Sequence, residues 1–408
     1  MWNLNTICAF VGLIQAAAAQ NLRYELVNSI LVPKLKSDFA KNNVSAQWAP
    51  SYPKEWGSES FKYKFNEPVP NDIFAGAVTE DQKYLVMQNG THIRFADLNT
   101  NSTVTTFHLG HPDTYILQGL TVRSAPAGGY DVLVNGVRHL YESPSGVLYR
   151  HVGADLKPTA SKPTIYTGGL GAISKQGKMA TTVGYIYDLD NNGTTVALEG
   201  MPPISDLSFR PDGVHLSTVS WTAQTADLWN ASSGSRIFKF PDTRAQNWNT
   251  QFSPDGKYIA ITVGNNNNTV LIYAFDNLNA KPIALTGFNE WPRSIQWSQK
   301  GDLFAVSDRG RVQVWKIPSL QLVQKWELEA SGSGVYSAQN IRWVDDDKKI
   351  LFSNRDATYV YDFGQNLKWW ITPRVNDHMW NGQGVSFLKD KGVLVSADGD
   401  SVVRVWKL

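Results

Sequence analysis

Three tryptophans and a tyrosine, Trp248, Trp291, Trp380 and Tyr336, precede short apolar phrases, three of them with polar neighbours: Asn247-Trp248-Asn249, Trp291-Pro292-Arg293 and Asp377-His378-Met379-Trp380-Asn381. The phrases end on a second aromatic, namely Phe252, Trp297, Trp343 and Phe387, with Phe209 ending a fifth. One and three residues before that aromatic the chain is mostly polar: Ser208 and Asp206, Gln251 and Asn249, Gln296 and Ser294, Arg342 and Asn340. Alternation at period two puts these side chains on one side of a strand. Polar groups repeated there need water or a ligand to satisfy them. Aromatics above amides and guanidinium groups make a mouth for a partly apolar organic molecule whose oxygens are oriented by hydrogen bonds. The candidates for substrate binding are Trp248, Asn249, Gln251, Trp291, Gln296, Tyr336, Asn340 and Trp380, and those for charged or proton-transfer chemistry are Arg342, Arg293, Asp377 and His378.

Other chemistries find little support. The seven histidines form no His-x-x-x-His pair, so no metal site is expected. The acidic runs Asp188-Leu189-Asp190 and Asp345-Asp346-Asp347 read as solvated turns rather than calcium loops. No Gly-x-Ser-x-Gly elbow occurs, and Gly168-Gly169-Leu170-Gly171 follows no strand-to-helix pattern that would cradle a phosphate. The single cysteine is Cys8, so a chain shortened past it has no thiol chemistry. No cofactor is required by any of these residues.

The elements that must position the mouth are strands. From 204 to 240 the chain reads Leu207-Ser208-Phe209, the turn Arg210-Pro211-Asp212-Gly213, then Val214 to Ser220, Ala226-Asp227-Leu228-Trp229 and Arg236 to Phe240. The next unit repeats the phrase with Ser253-Pro254-Asp255-Gly256. Proline presets the first turn dihedral and glycine supplies positive φ, so x-Pro-Asp-Gly between apolar alternations is a hairpin. Recurrence at roughly 40 residues is the period of four-stranded propeller blades. The fold expected is all-β, a single β-propeller of eight four-stranded blades, or seven if one weaker unit is an insertion. The final unit, Gly384 to Trp406, holds three strands, and Phe61-Lys62-Tyr63-Lys64-Phe65 is expected to supply its fourth and close the ring. Tryptophan between blades is also ordinary packing, which is the competing account of the aromatic set.

Basic residues number 38 and acidic residues 36, which argues against a nucleic-acid-binding surface. Ile7 to Ile14 followed by Ala16-Ala17-Ala18-Ala19-Gln20 reads as a signal peptide, too short to span a bilayer. The expected domains are a signal peptide at 1-19, an N-terminal extension at 20-59 and the propeller at 60-408. Six Asn-x-Ser/Thr sequons begin at Asn43, Asn89, Asn101, Asn192, Asn230 and Asn267, consistent with a secreted or vesicular glycoprotein.

The phrases Gly110-His111, Ala226-Asp227-Leu228-Trp229, Val314-Trp315-Lys316, Val360-Tyr361-Asp362 and Val405-Trp406-Lys407 resemble degenerate WD40-type repeats. With the leader, the sequons and the scarcity of cysteine, the layout is similar to the fungal hetero-Diels-Alderases of tropolone sesquiterpenoid (meroterpenoid) biosynthesis. That resemblance implies a cofactor-independent pericyclase. It would dehydrate a hydroxymethyl-bearing tropolone or phenol to a quinone methide and couple it to a humulene-type alkene. Under it, Arg342, Arg293, Gln296 or Gln251 would donate to the quinone methide oxygen, the aromatics would form the alkene wall, and Asp377 or His378 would assist loss of water. The partner would be a small organic substrate with apolar and oxygenated parts; no nucleic acid and no membrane span are expected. Two alternatives stand: a secreted binding protein or lectin, and a carbohydrate-active hydrolase or lyase, for which Asp206 and Asp377 are the obvious carboxylates.

Overall fold

A computed structural model describes residues 58–64, 73–89, 92–100, 102–109, 116–137, 146–191, 193–241, 243–264, 268–308, 311–327, 339–353, 358–364, 367–371, 385–397 and 402–407. The expected signal peptide at 1-19, the sequon residues Asn43, Asn101, Asn192 and Asn267, and the candidates Tyr336, Asp377, His378 and Trp380 lie outside them.

Among the described residues the chain forms an all-β propeller of eight four-stranded antiparallel sheets. Blades 1 to 7 occupy residues 73–108, 116–167, 170–197, 206–239, 246–285, 294–327 and 339–371. Each is a meander, as expected where short strands are separated by tight turns. Blade 8 combines Val385–Leu388, Val393–Ala397 and Val402–Lys407 with the N-terminal strand Ser58–Lys64 as its outer edge. Phe61 faces Val405, Lys62 faces Arg404 and Tyr63 faces Val403, so the expected closing strand is the observed one, with Phe65 outside the described residues.

Burial follows strand position. Second strands such as Tyr258–Gly264 and Leu303–Asp308 are buried on both faces beyond their first residue, because a blade is covered by a neighbour on each side. Outer strands such as Ser102–His108 alternate exposed and half-buried. The core therefore lies between blades: Leu207, Leu216 and Trp229 pack on Ala180 and Ile186, while Trp297 and Phe304 pack on Ala260 and Ile272. Leu85 and Met87 of blade 1 pack on Val393 and Val395 of blade 8, which joins the two ends of the ring.

The acidic runs staple blades. Asp347 accepts the backbone N–H groups of Gln299 and Lys300 in blade 6, at 2.7 and 2.9 Å. Asp346 pairs with Lys389 between blades 7 and 8 at 2.8 Å. Asp190 pairs with Arg123 of blade 2, which also bonds the buried Asp131. These carboxylates serve as turn caps and inter-blade ties.

Candidate functional site

The inner strands of blades 4, 5 and 6 are Asp206–Phe209, Gln246–Phe252 and Ser294–Trp297. Their odd and even residues divide as the alternation requires: Leu207, Thr250 and Ile295 are buried, while Asp206, Ser208, Asn249, Gln251, Ser294 and Gln296 are partly open. These strands are the inner edges of their sheets, so the peptide N–H groups on the open side have no ladder partner. Side chains from the preceding blade supply one. Asp206 Oδ2 accepts from Thr250 N at 3.0 Å, Ser208 Oγ from Phe252 N at 3.2 Å, and Gln251 Oε1 from Trp297 N at 3.1 Å.

A cavity of about 340 Å³ lies over this edge, lined by Ala172, Ile173, Asp206, Leu207, Ser208, Phe209, Asn249, Thr250, Gln251, Arg293, Ser294 and Ile295. The structure thus brings Asn249, Gln251 and Arg293 into one recess. Gln296 is not part of that lining; its Nε2 donates to the Trp297 carbonyl, and its own carbonyl accepts from the Trp343 indole N–H. Arg342 and Asn340 stand on the inner strand Gln339–Val344 of blade 7. Arg342 is open to solvent, yet the protein gathered around it disfavours charge and lowers its guanidinium pKa.

Trp248 and Trp291 are not part of that lining; they belong to a tryptophan stack that meets it at Arg293. Trp221, Trp248 and Trp291 lie with successive ring centroids 5.3 and 5.5 Å apart and interplanar angles of 22° and 29°. The Arg293 guanidinium lies 5.1 Å from the Trp248 centroid and 4.9 Å from that of Trp291, within cation–π range. Trp291 sits against Gly264, where a Cβ would come within 2.9 Å of the ring. Trp248 and Asn249 occupy a register shift between Asn247 and Thr250; such a bulge re-aims side chains. The indole nitrogen of Trp248 and Oδ1 of Asn249 are buried without a hydrogen-bond partner. Trp221 joins this stack although it lies in the hairpin turn Ser220-Trp221-Thr222 rather than at the entrance to an inner strand; its backbone N–H donates to Ser205 Oγ at 2.8 Å.

Asp206, named from sequence as one of the polar pair before Phe209 and as a possible hydrolase carboxylate, is here desolvated by burial, which raises its pKa from 3.8 to about 6 against the opposing bonds from Thr250, Asn249 and Leu207. Asp377, its suggested carboxylate partner, lies outside the described residues. Among the described residues no group of three or more His, Cys, Asp or Glu gathers at one point, and no helix is long and apolar enough to cross a membrane.

Of the sequons, Asn89 and Asn230 lie at strand ends. Asn230 Oδ1 accepts the Ser232 and Ser233 backbone N–H groups at 2.8 and 3.1 Å, which shapes the turn carrying it.

No protein-family profile matches the chain. Among curated proteins, it is 25% identical over 124 residues to the SIR4-interacting protein SIF2 of Saccharomyces cerevisiae, covering 28% of this chain and 23% of that one. It is 27% identical over 180 residues to the Tol-Pal system protein TolB of Anaeromyxobacter sp. (strain K), covering 40% of each. The chain thus spans less than half the length of the curated relatives it matches. Among solved structures, the C-terminal WD40 domain of Sif2 superposes with a TM-score of 0.62 at 13% identity, covering 88% of this chain and 99% of that one. The computationally designed Ika8 protein gives 0.61 at 15%, covering 85% and 98%. At such identities the likeness is one of fold, and that fold is the WD40-type β-propeller.

Proposed function

We propose that the recess on blades 3 to 6 is the reaction site of a cofactor-independent hetero-Diels-Alderase, which dehydrates a hydroxymethyl-bearing tropolone or phenol and couples the resulting quinone methide to a humulene-type alkene. The observation that carries this reading is Arg293, which lines the recess together with the desolvated Asp206 carboxyl and lies on the neighbouring indole stack. Arg293, with the Gln251 amide, donates to the ring oxygen, and so stabilises charge that develops as the alkene adds. Trp248 and Trp291 fix which alkene face meets the diene. Arg342 is the second donor candidate, from blade 7. The resemblance in layout to fungal hetero-Diels-Alderases supports the choice of reaction, and the leader and sequons support a secretory route.

Incubation with a hydroxymethyl tropolone and humulenol tests it, with the cycloadduct followed by mass spectrometry and chiral chromatography. Arg293→Ala is expected to lower turnover about 10²-fold or more, while Trp248→Ala and Trp291→Ala scramble product stereochemistry more than they slow formation. If the unmodified protein yields no adduct above the spontaneous background, catalysis is ruled out and the secreted binding protein takes its place. Protein from a eukaryotic secretory host should begin near Gln20 and lose apparent mass on glycosidase treatment; retention of Met1 with no mass change would exclude the secretory assignment.

A further inference from the structure

Asp206 presents two chemically different oxygens. Asn249 Nδ2 donates to Oδ2 at 3.3 Å and the Thr250 backbone N–H donates to the same atom at 3.0 Å. An oxygen that accepts two N–H bonds cannot also carry an acid proton directed at those donors. The Leu207 backbone N–H is a third, weaker donor to the carboxyl, so in the neutral form the proton belongs on Oδ1, away from the two donors that share Oδ2. The group lines the recess together with Arg293, Gln251 and Ser294, and Asn249 adds a buried Oδ1 that has no partner.

We propose that Asp206 is the proton donor of this mouth, handing the Oδ1 proton to an uncharged ligand's hydroxyl or carbonyl oxygen while Asn249 and Thr250 hold Oδ2 in place. The ligand class is a neutral, oxygen-bearing aromatic or cross-conjugated ring. In the dehydration, which rests on the reading above, the Oδ1 proton passes to the departing hydroxyl oxygen, the carbon–oxygen bond breaks and water leaves. The ring hydroxyl gives its proton to solvent water, and solvent returns one to Asp206. The net change is loss of one water, with no oxidant or reductant. This assigns to Asp206 the role that sequence reasoning gave to Asp377 or His378.

The surroundings suit a group that is neutral at mildly acidic pH. The inner strand Leu170–Ile173 on one side and Gln246–Phe252 on the other carry no titratable residue. On the paired strand His215–Ser220, His215 lies at the far end, bonded to Asp212, while Asp206 faces Val219. Apart from Asp206 itself, Arg293 is the one charged group among the residues lining the recess. Burial raises the Asp206 pKa to about 6, so protonated and ionised forms exchange within the range a binding assay can cover.

The test uses the full chain and 2-hydroxybenzyl alcohol as a neutral probe, with binding read by quenching of tryptophan fluorescence between pH 5 and 8. Affinity should fall by roughly tenfold per pH unit above the carboxyl pKa. Asp206→Asn, which keeps an acceptor for Thr250 and an N–H for the ligand, should bind with a flat pH profile. A wild-type profile with no slope, or the same slope in Asp206→Asn, overturns the proposal. Should that variant fail to fold, infrared difference spectroscopy on the wild-type protein decides. A protonated-carboxyl C=O band that shifts on adding probe at pH 5 and is absent at pH 8 supports the proposal, and no such band overturns it. An Asp206-dependent slope without cycloadduct removes only the catalytic reading, whereas cycloadduct without that slope removes only this assignment.

Discussion

At the scale of the residue, stability and the proposed proton donation both depend on the protonated form of Asp206. Its pKa in the fold, about 6, lies above the ordinary carboxyl value of 3.8, so the folded state holds the proton more tightly than the unfolded chain. Its contribution is complete below about pH 4 and is lost as pH rises through about 6. Two pKa units correspond to about 2–3 kcal/mol as an upper bound. Asp206→Asn should therefore melt at a higher temperature than wild type at pH 8 and close to it at pH 4, as thermal denaturation across that range would reveal. A melting difference independent of pH would mean that the carboxyl is ionised without penalty. The position was legible in the sequence as one of two polar residues before Phe209. Its perturbation was not, because the Asn249 and Thr250 groups that bond it lie 43 and 44 residues away.

At the scale of the element, the hairpin turns do what their residues dictate. In Arg210-Pro211-Asp212-Gly213, Asp212 Oδ1 accepts the Val214 and His215 backbone N–H groups at 2.8 and 3.2 Å, and Oδ2 bonds Arg210 and His215. Gly213 takes φ +67°, which an L side chain adopts only at a cost. These bonds hold the Asp212 carboxyl down at about 2, against desolvation as the largest opposing effect. Its support is present above pH 4 and lost as pH falls toward 2. Asp212→Ala should cost about 1–2 kcal/mol at pH 7 and much less near pH 2, measured by urea denaturation at the two pH values. An equal cost at both would show that the turn depends on shape rather than on the charged cap. The turn itself was readable, since proline, aspartate and glycine act within four residues. The register shift that carries Trp248 and Asn249 was not, because a bulge is defined by the partner strand it opposes.

At the scale of the whole molecule, the ring depends on a strand from the other end of the chain. Ser58–Lys64 covers the edge of Val402–Lys407, and blade 8 packs on blade 1 through Leu85, Met87, Val393 and Val395. Removing residues 58–64 should lower the melting temperature sharply and expose an unpaired edge that promotes association, visible by calorimetry and size-exclusion chromatography. A monomer melting like the intact protein would show that the ring holds without this strand.

The sequence by itself determined the period of the blades, the hairpins between them, the strand that closes the ring and the polar side of each inner strand. All follow from alternation at period two and from turn residues, which act over a few positions of the chain. Tertiary structure alone decided which of those polar residues share a recess, that Trp221 extends the Trp248–Trp291 stack, and that Asp206 is desolvated. Stacking and desolvation are set by whatever the ring brings alongside from neighbouring blades, and no local pattern encodes that neighbour.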